Sequence, residues 1–425
     1  MKILMLGWEF PPFFAGGVGI ACYELTKAMS KYDDLEISYI MPYGPEEKKL
    51  SDKFKIMSAN SLHSSEFDEL VNVNIKRVSS MLYAYDGPEQ YSKRLKDFMA
   101  FRNMRSLYSK DKSIKEIYGS NLIEEVYLYA QRVLNLCKNM DFDVIHAHDW
   151  TTFPAAILLK ELTGKPAIVH VHITELDKTG GSGGHEEVFN IERAGFAGAD
   201  KLIAVSEFTK RRLIENYGVS GDKIEVIHNG GISDLRCDFD SKSSFECDDK
   251  IVLFAGRVTL QKGPEYFVRA AKKVLEYEPH AKFILAGSGD QLPRMVYLIE
   301  ELGMQDNFFV LGRAYTRDEA NKFYSMADIF VMPSVSEPFG IVPLEAVAKG
   351  TPTIISNQSG ISEVLDNAFK VDFWDVDEIA HKMISLLKYP HLSNHMRKSA
   401  MGEFESFSWD YPAKKVVDLY RKTIH

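Results

Sequence analysis

The sequence has no paired-cysteine motif, no long apolar run and no excess of positive charge, and each absence excludes a class of protein. Its four cysteines, Cys22, Cys137, Cys237 and Cys247, form no CxxC pair, and the two nearest each other have no histidine nearby. A zinc framework is set aside, and the thiols read as reduced, as in a cytosolic chain. The opening run Met1–Gly7 ends at Trp8-Glu9, too soon for a secretory leader, and no stretch approaches the roughly 18 apolar residues of a membrane span. A cytoplasmic chain with no integral membrane segment is expected. Lys plus Arg number 51 against 60 Asp plus Glu, a net charge of −9, which argues against a general binder of nucleic acid. A local cationic pocket remains compatible with that balance. With 45% hydrophobic and 26% charged residues in 425, the chain is too apolar for disorder and long enough for two domains, or three.

What is present is an alternation of short apolar runs with longer amphipathic stretches, the pattern of parallel strands joined by helices. Strands are expected at Lys2–Leu6, Glu36–Met41, Val144–His148, Ala167–Ile173 and Lys201–Ser206, with a helix over Ile20–Lys31. The charged stretch from about Ser64 to Met140, including helical spacing over Leu122–Cys137, predicts a helical insertion against the first sheet. Ser233–Lys250, dense in Ser and Asp and without period, reads as a linker. Beyond it the rhythm restarts: strands at Ile251–Ala255, Lys282–Ala286, Phe308–Leu311, Ile329–Met332 and Thr353–Ser356, and helices at Gly263–Tyr277, Arg294–Leu302 and Pro343–Lys349. Two doubly wound α/β halves follow in series, and ligands of such folds bind beyond the C-terminal ends of the strands. The cleft between the halves is the expected site.

Polar groups cluster at those strand ends. Gly16-Gly17-Val18-Gly19 opens a helix, where backbone amides and the helix dipole suit a phosphate, although a tight turn explains the glycines as well. The run is not GxGxxG, which counts against a dinucleotide dehydrogenase. His146 and His148 share one strand face in His146-Ala147-His148-Asp149-Trp150, and no further metal ligand is evident beside them. His170 and His172 likewise share a face, and His172, at the strand end, is the candidate for the site. Asp177–Glu187, with four glycines, is either a lid or a plain surface loop. In the second half, Arg257 and Lys262 are two fixed cations able to neutralise a diphosphate. Gly287 and Gly289 suit close approach to a nucleoside or phosphate. The sharpest run is Glu337-Pro338-Phe339-Gly340-Ile341-Val342-Pro343-Leu344-Glu345, where two carboxylates sit among apolar residues and Gly340 precedes a helix start. Sugar hydroxyls can supply the partners such carboxylates need.

Taken together, GGVG, HAHDW, VHVHITE, AVSEFTKR, VIHNG, AGRVTLQKG, AGSGD and EPFGIVPLE, in this order, resemble the retaining GT-B glycosyltransferases of family 4 and the glycogen and starch synthases. The resemblance covers nearly the whole chain. It implies two Rossmann-like domains facing a central cleft: an acceptor-side domain over 1–235, a nucleotide-sugar domain over 236–408, and a last helix over 409–425 that returns to the first domain. It implies that Arg257 and Lys262 hold the donor diphosphate together with the Gly16-Gly17 loop, and that Gly287 and Gly289 line the nucleotide. Glu337 would contact the donor sugar, Phe339, Gly340 and Ile341 would flank the donor, and Glu345 would meet the ribose. His172 would lie beside the transferred sugar with Asp149 near it, and Asn229 and Gly230 would line the cleft. The reaction implied keeps the anomeric configuration, uses no metal and needs no cofactor, the nucleotide sugar (ADP-glucose or UDP-glucose) being a substrate.

The favoured acceptor is an α-1,4-glucan. One departure bears on this: Phe13-Phe14-Ala15 precedes Gly16 where ADP-glucose-dependent bacterial glycogen synthases carry a lysine. Transfer of another sugar, to a mannosyl-type or sucrose- or trehalose-type product, stays open. So does a nucleotide-sugar epimerase, which needs no acceptor, and, least favoured, a non-catalytic sugar-binding protein. Donor base, acceptor, linkage and oligomeric state are not legible.

Overall fold

A computed structural model of the chain describes residues 1–10, 17–42, 73–77, 114–181, 183–231, 249–312 and 317–424. Seven parallel strands form the first sheet: β1 (Lys2–Leu6), β2 (Glu36–Met41), β3 (Val73–Arg77), β4 (Val144–His148), β5 (Ala167–Val171), β6 (Lys201–Ala204) and β7 (Ile224–Val226). Their order is β3-β2-β1-β4-β5-β6-β7. The second sheet holds β8 (Ile251–Ala255), β9 (Lys282–Ala286), β10 (Phe308–Leu311), β11 (Ile329–Met332), β12 (Thr353–Ser356) and β13 (Phe369–Val371), in the order β10-β9-β8-β11-β12-β13. Strands such as Lys2–Leu6 and Ile251–Ala255 are buried after their first residue, as expected where helices cover both sheet faces. Each sheet has its own core on each face, so that Leu4, Ile145 and Val169 pack toward one side of the first sheet and Ile3, Val144 and Ile168 toward the other.

The strand order reverses between β1 and β4 in the first sheet and between β8 and β11 in the second. At such reversals the loops leaving neighbouring strands diverge to opposite faces and open a crevice. These four strands end at Gly7-Trp8, Asp149, Gly256-Arg257 and Pro333-Ser334. The candidate residues of the sequence are therefore carried to two crevices.

Expected and observed elements differ where side chains compete with the ladder. β5 stops at Val171 rather than Ile173 because Asp149 Oδ1 takes the amides of His172 (2.8 Å) and Ile173 (3.3 Å). β6 stops at Ala204 because Ser206 caps the Glu207–Tyr217 helix by accepting from the Thr209 amide. The stretch expected to be a helical insertion contains β3, which extends the sheet beyond β2 in parallel register. Its helix begins at Ile114 rather than Leu122, through Gly119-Ser120-Asn121, whose weak propensity hid the start. Most of the remainder of that stretch, and 233–248 of the expected linker with Cys237 and Cys247, lie outside the described residues.

After the second sheet the chain returns to the first. The Asp410–Ile424 helix lays Val416, Val417 and Tyr420 against the core shared by β1, β2 and the Gly17–Met29 helix. Two exposed ion pairs border this contact, Lys31–Asp410 (2.6 Å) and Arg421–Asp34 (2.9 Å). At their exposure they add little, and the buried apolar face carries the docking. Among the described residues, no helix is long and apolar enough to cross a membrane.

Candidate active site

The loops after β8 and β11 meet at one ion pair. Thr259 leads into a single turn, Leu260–Lys262, which Gly263 ends in the left-handed region at φ 65. This turn aims the Lys262 ammonium at the loop after β11, where it pairs with Glu337 Oε2. The Ser334 hydroxyl lies 3.4 Å from the same oxygen. The loops are also joined through their backbones, since the Val335 amide donates to the Gln261 carbonyl at 2.9 Å. Arg257, half-buried, reaches the Gln261 side chain at 3.5 Å. Phe339 and Gly340 are buried, and Gly340 at φ 101 starts the Ile341–Ala348 helix. That helix begins at Ile341 rather than Pro343, a position in its first turn where proline loses no hydrogen bond. Glu345, on its half-buried face, accepts from Tyr324 Oη at 2.9 Å.

Gly17 stands at the start of the Gly17–Met29 helix, and a Cβ built on it would lie 3.9 Å from Ile341 Cδ1. A helix N-terminus of the first half thus faces the helix start that follows Glu337. Gly16 lies outside the described residues. Gly287, at φ 141, and Gly289 lose their side chains for a packing reason: a Cβ would stand 1.8 Å from Gly256 O and 2.2 Å from Val258 O respectively. Similarly, a Cβ on Gly230 would strike Trp409. Glycine at these three positions is explained by neighbouring chain.

On the other wall, Asp149 is the one described non-glycine residue at positive φ (58). Strain of this kind persists where the surroundings over-determine it. Here the carboxylate is fixed by the His172 and Ile173 amides, and burial pushes its carboxyl up to about 7. Burial pushes His172 down to about 3, so its imidazole is neutral at pH 7. Its Nε2 is 2.9 Å from His148 Nδ1. Asp149 also borders a small cavity lined in part by Trp8, Glu9, Trp150 and Lys178, with the Lys178 ammonium 5.6 Å from the centre of the Trp150 ring.

Several residues that bind the two walls together were not apparent in the sequence. Asp177, 1% exposed, takes the Thr174 amide and hydroxyl on one oxygen and the Ser336 hydroxyl, from across the cleft, at 2.6 Å on the other. Arg212 approaches that second oxygen at 2.9 Å but off the line of a hydrogen bond, so the attraction is electrostatic. Ser206 Oγ donates to the Pro338 carbonyl at 2.5 Å. Glu363 caps the Glu207–Tyr217 helix through the Glu207 and Phe208 amides and meets His228 Nε2 at 2.9 Å. Within the glycine-rich 177–187 stretch, Gly180 lies against Val335 of the loop after β11, so with the Asp177–Ser336 bond its first part is anchored across the cleft. Capping-box spacing, Thr174 and Asp177, was the available signal for this loop.

The structure also brings together histidines that the sequence keeps apart. β4 and β5 are neighbours with His148 opposite His170, so four imidazoles share one sheet face. His170 is thus beside His146, at 3.3 Å between Nδ1 and Nε2, where the sequence shows no further ligand.

Two family models match the chain, Glycosyltransferase Family 4 over residues 109–231 and Glycosyl transferases group 1 over residues 238–402. The chain is 28% identical to an uncharacterized glycosyltransferase of Methanocaldococcus jannaschii, covering 99% of this chain and 98% of that protein. It is 30% identical to the D-inositol 3-phosphate glycosyltransferase of Paenarthrobacter aurescens over 67% of this chain and 73% of the relative. With the glycogen synthase of Mycobacterium tuberculosis it shares 26% identity over 99% and 94% of the two chains. In fold it is similar to the sucrose-phosphate synthase of Thermosynechococcus elongatus, with TM-score 0.74, 19% identity, and 99% and 98% coverage. It is also similar to the catalytic domain of starch synthase IV from Arabidopsis thaliana bound to ADP and acarbose, with TM-score 0.67, 16% identity, and 100% and 99% coverage. Two doubly wound sheets facing a cleft of this make, with matches in both halves, identify the chain as a GT-B glycosyltransferase belonging to family 4 and the group 1 glycosyl transferases.

Proposed function

We propose that the chain is a retaining hexosyltransferase that moves glucose from a nucleotide sugar to a glycan, with elongation of an α-1,4-glucan the favoured reaction. The observation that carries this reading is the convergence on one cleft of the Lys262–Glu337 pair and of Gly17, across from Ile341. A donor diphosphate lies between them, its charge met by Lys262, Arg257 and the amides at the helix start. Glu337 exchanges its lysine for hydroxyls of the donor sugar, and Glu345 meets the ribose.

The acceptor hydroxyl attacks C1 from the face the diphosphate leaves. The C1–O bond to the diphosphate breaks as the C1–O bond to the acceptor forms, and the acceptor proton passes to the departing phosphate oxygen. No side chain becomes a nucleophile. His172, as a neutral imidazole, and Asp149 position the transferred sugar, and protein cations take the part a metal plays elsewhere. A relative named a glycogen synthase, matched over 99% of this chain, supports the glucan acceptor.

A second reading, transfer to a small phosphorylated acceptor, rests on Lys178 in the cavity beside Asp149 and on the relative named for D-inositol 3-phosphate. A labelled transfer screen of UDP-, ADP- and GDP-sugars against glycogen, maltose and sugar phosphates separates the two. Label in polymer supports the first reading, and label only in a phosphorylated disaccharide supports the second. An isomerised donor with no acceptor product would replace both with epimerase chemistry.

A further inference from the structure

We propose that His146, His148 and His170 form a buried structural site for one zinc-type dication, behind the cleft wall that carries His172 and Asp149. One ring nitrogen from each lies within 4.8 Å of the others, and all three residues are at most 2% exposed. The grouping follows from topology: alternation puts His146 and His148 on one face of β4, and parallel register sets His170 against His148. The 3.3 Å between His146 Nε2 and His170 Nδ1 equals the edge of a tetrahedron with metal–nitrogen bonds of about 2.0–2.1 Å.

Hydrogen bonding leaves room for such a ligand. His146 Nδ1 meets Tyr420 Oη, His146 Nε2 meets His170 Nδ1, and His148 Nδ1 meets His172 Nε2. His148 Nε2, His170 Nε2 and His172 Nδ1 are buried with no partner. Buried polar atoms are ordinarily satisfied, and with His146 Nε2 and His170 Nδ1 turned to the ion, the orphaned His148 Nε2 is the third nitrogen it would satisfy. Imidazole donors with no carboxylate among them select zinc, copper or nickel over magnesium or calcium. Bound there, the ion ties β4 to β5 and, through the His146–Tyr420 contact, to the returning C-terminal helix. Because the rings are enclosed, the metal enters as the chain folds. A second trio, Cys22, His148 and His172, shares His148 and is the competing assignment.

The test uses the full chain without a polyhistidine tag, unfolded with chelator, refolded with or without Zn²⁺ and dialysed. Metal is then counted by mass spectrometry. About one zinc per chain retained after dialysis is expected, with loss in His146→Gln and His170→Gln and retention in His381→Ala, whose side chain is 70% exposed. A folded wild-type chain holding no zinc would overturn the proposal, as would undiminished zinc in His170→Gln. If those variants fail to fold, X-ray absorption of the zinc-loaded wild type decides: nitrogen scatterers alone at about 2.0–2.1 Å support the three histidines, and a sulfur at about 2.3 Å assigns the ion to Cys22 instead.

Discussion

Replacing Lys262 by alanine removes one member of a pair whose side chains are only 13% and 9% exposed, and leaves Glu337 charged beside Ser334 with no cation at contact. Breaking a pair this enclosed costs about 3–5 kcal/mol, because the remaining carboxylate keeps its desolvation without its partner. The same lysine is assigned to the donor diphosphate, where losing one charge-stabilising contact costs about 10²–10³ in rate, or about 2.7–4 kcal/mol. The two effects are separable. Lys262→Met combined with Glu337→Gln has no orphaned charge, so urea unfolding should return most of the lost stability. Its kcat/KM should stay at least as low as in Lys262→Ala, since the phosphate contact is still missing and the sugar contact is weakened. Urea denaturation and steady-state kinetics on the wild type, Lys262→Met, Glu337→Gln and the double variant give the cycle, with Lys262→Ala measured beside them. Recovery of activity together with stability would refute the reasoning, by making the pair a structural clasp only. Wild-type kcat/KM in folded Lys262→Ala would refute it equally.

Three further outcomes follow from the geometry. Asp177→Ala frees Ser336 and leaves Arg212 facing an empty, enclosed position, so stability should fall by about 3–5 kcal/mol in urea, whereas Asp177→Asn, which keeps a bond to Ser336, should lose less. Glu192, held by the Tyr217 hydroxyl at 2.5 Å and the Glu175 amide at 2.8 Å, is pushed up to about 8 by burial from an ordinary 4.5. Between those values the folded chain holds one more proton than the unfolded one, so this contribution is full below pH 4.5 and is lost as pH rises toward 8. Its slope is about 1.4 kcal/mol per pH unit, and Glu192→Gln should flatten the pH dependence of unfolding by one proton. Gly287→Ala puts a methyl 1.8 Å from a backbone oxygen at positive φ, and expression with circular dichroism should find the chain unfolded or aggregated.

The strands were legible because parallel strands covered on both faces read as unbroken apolar runs, as in Ile251–Ala255 and Lys282–Ala286. β3 was not, since Val73–Arg77 alternates Asn and Lys with apolar residues and sits at a sheet edge. The strand-end candidates Asp149 and His172 come together for the same topological reason, because β4 and β5 are adjacent. What escaped were contacts set by docking. Asp177 and Ser336 are 159 positions apart, and neither the Thr174–Asp177 cap nor the serine announces a partner across the cleft. Gly287 and Gly289 carry a constraint that the sequence does not announce. Their glycines invite a ligand in sequence, and the backbone of the neighbouring loop, standing where a Cβ would, requires glycine there as well.

Retaining transfer is the claim on which the site assignments depend, and the product's anomeric proton tests it most directly. Proton NMR of the first turnovers, with an α-linked nucleotide glucose and a maltooligosaccharide, should show an α-glucosidic signal growing as the donor signal declines. A β-glucosidic product, or donor hydrolysis with no transfer to any acceptor of the screen, would contradict the account.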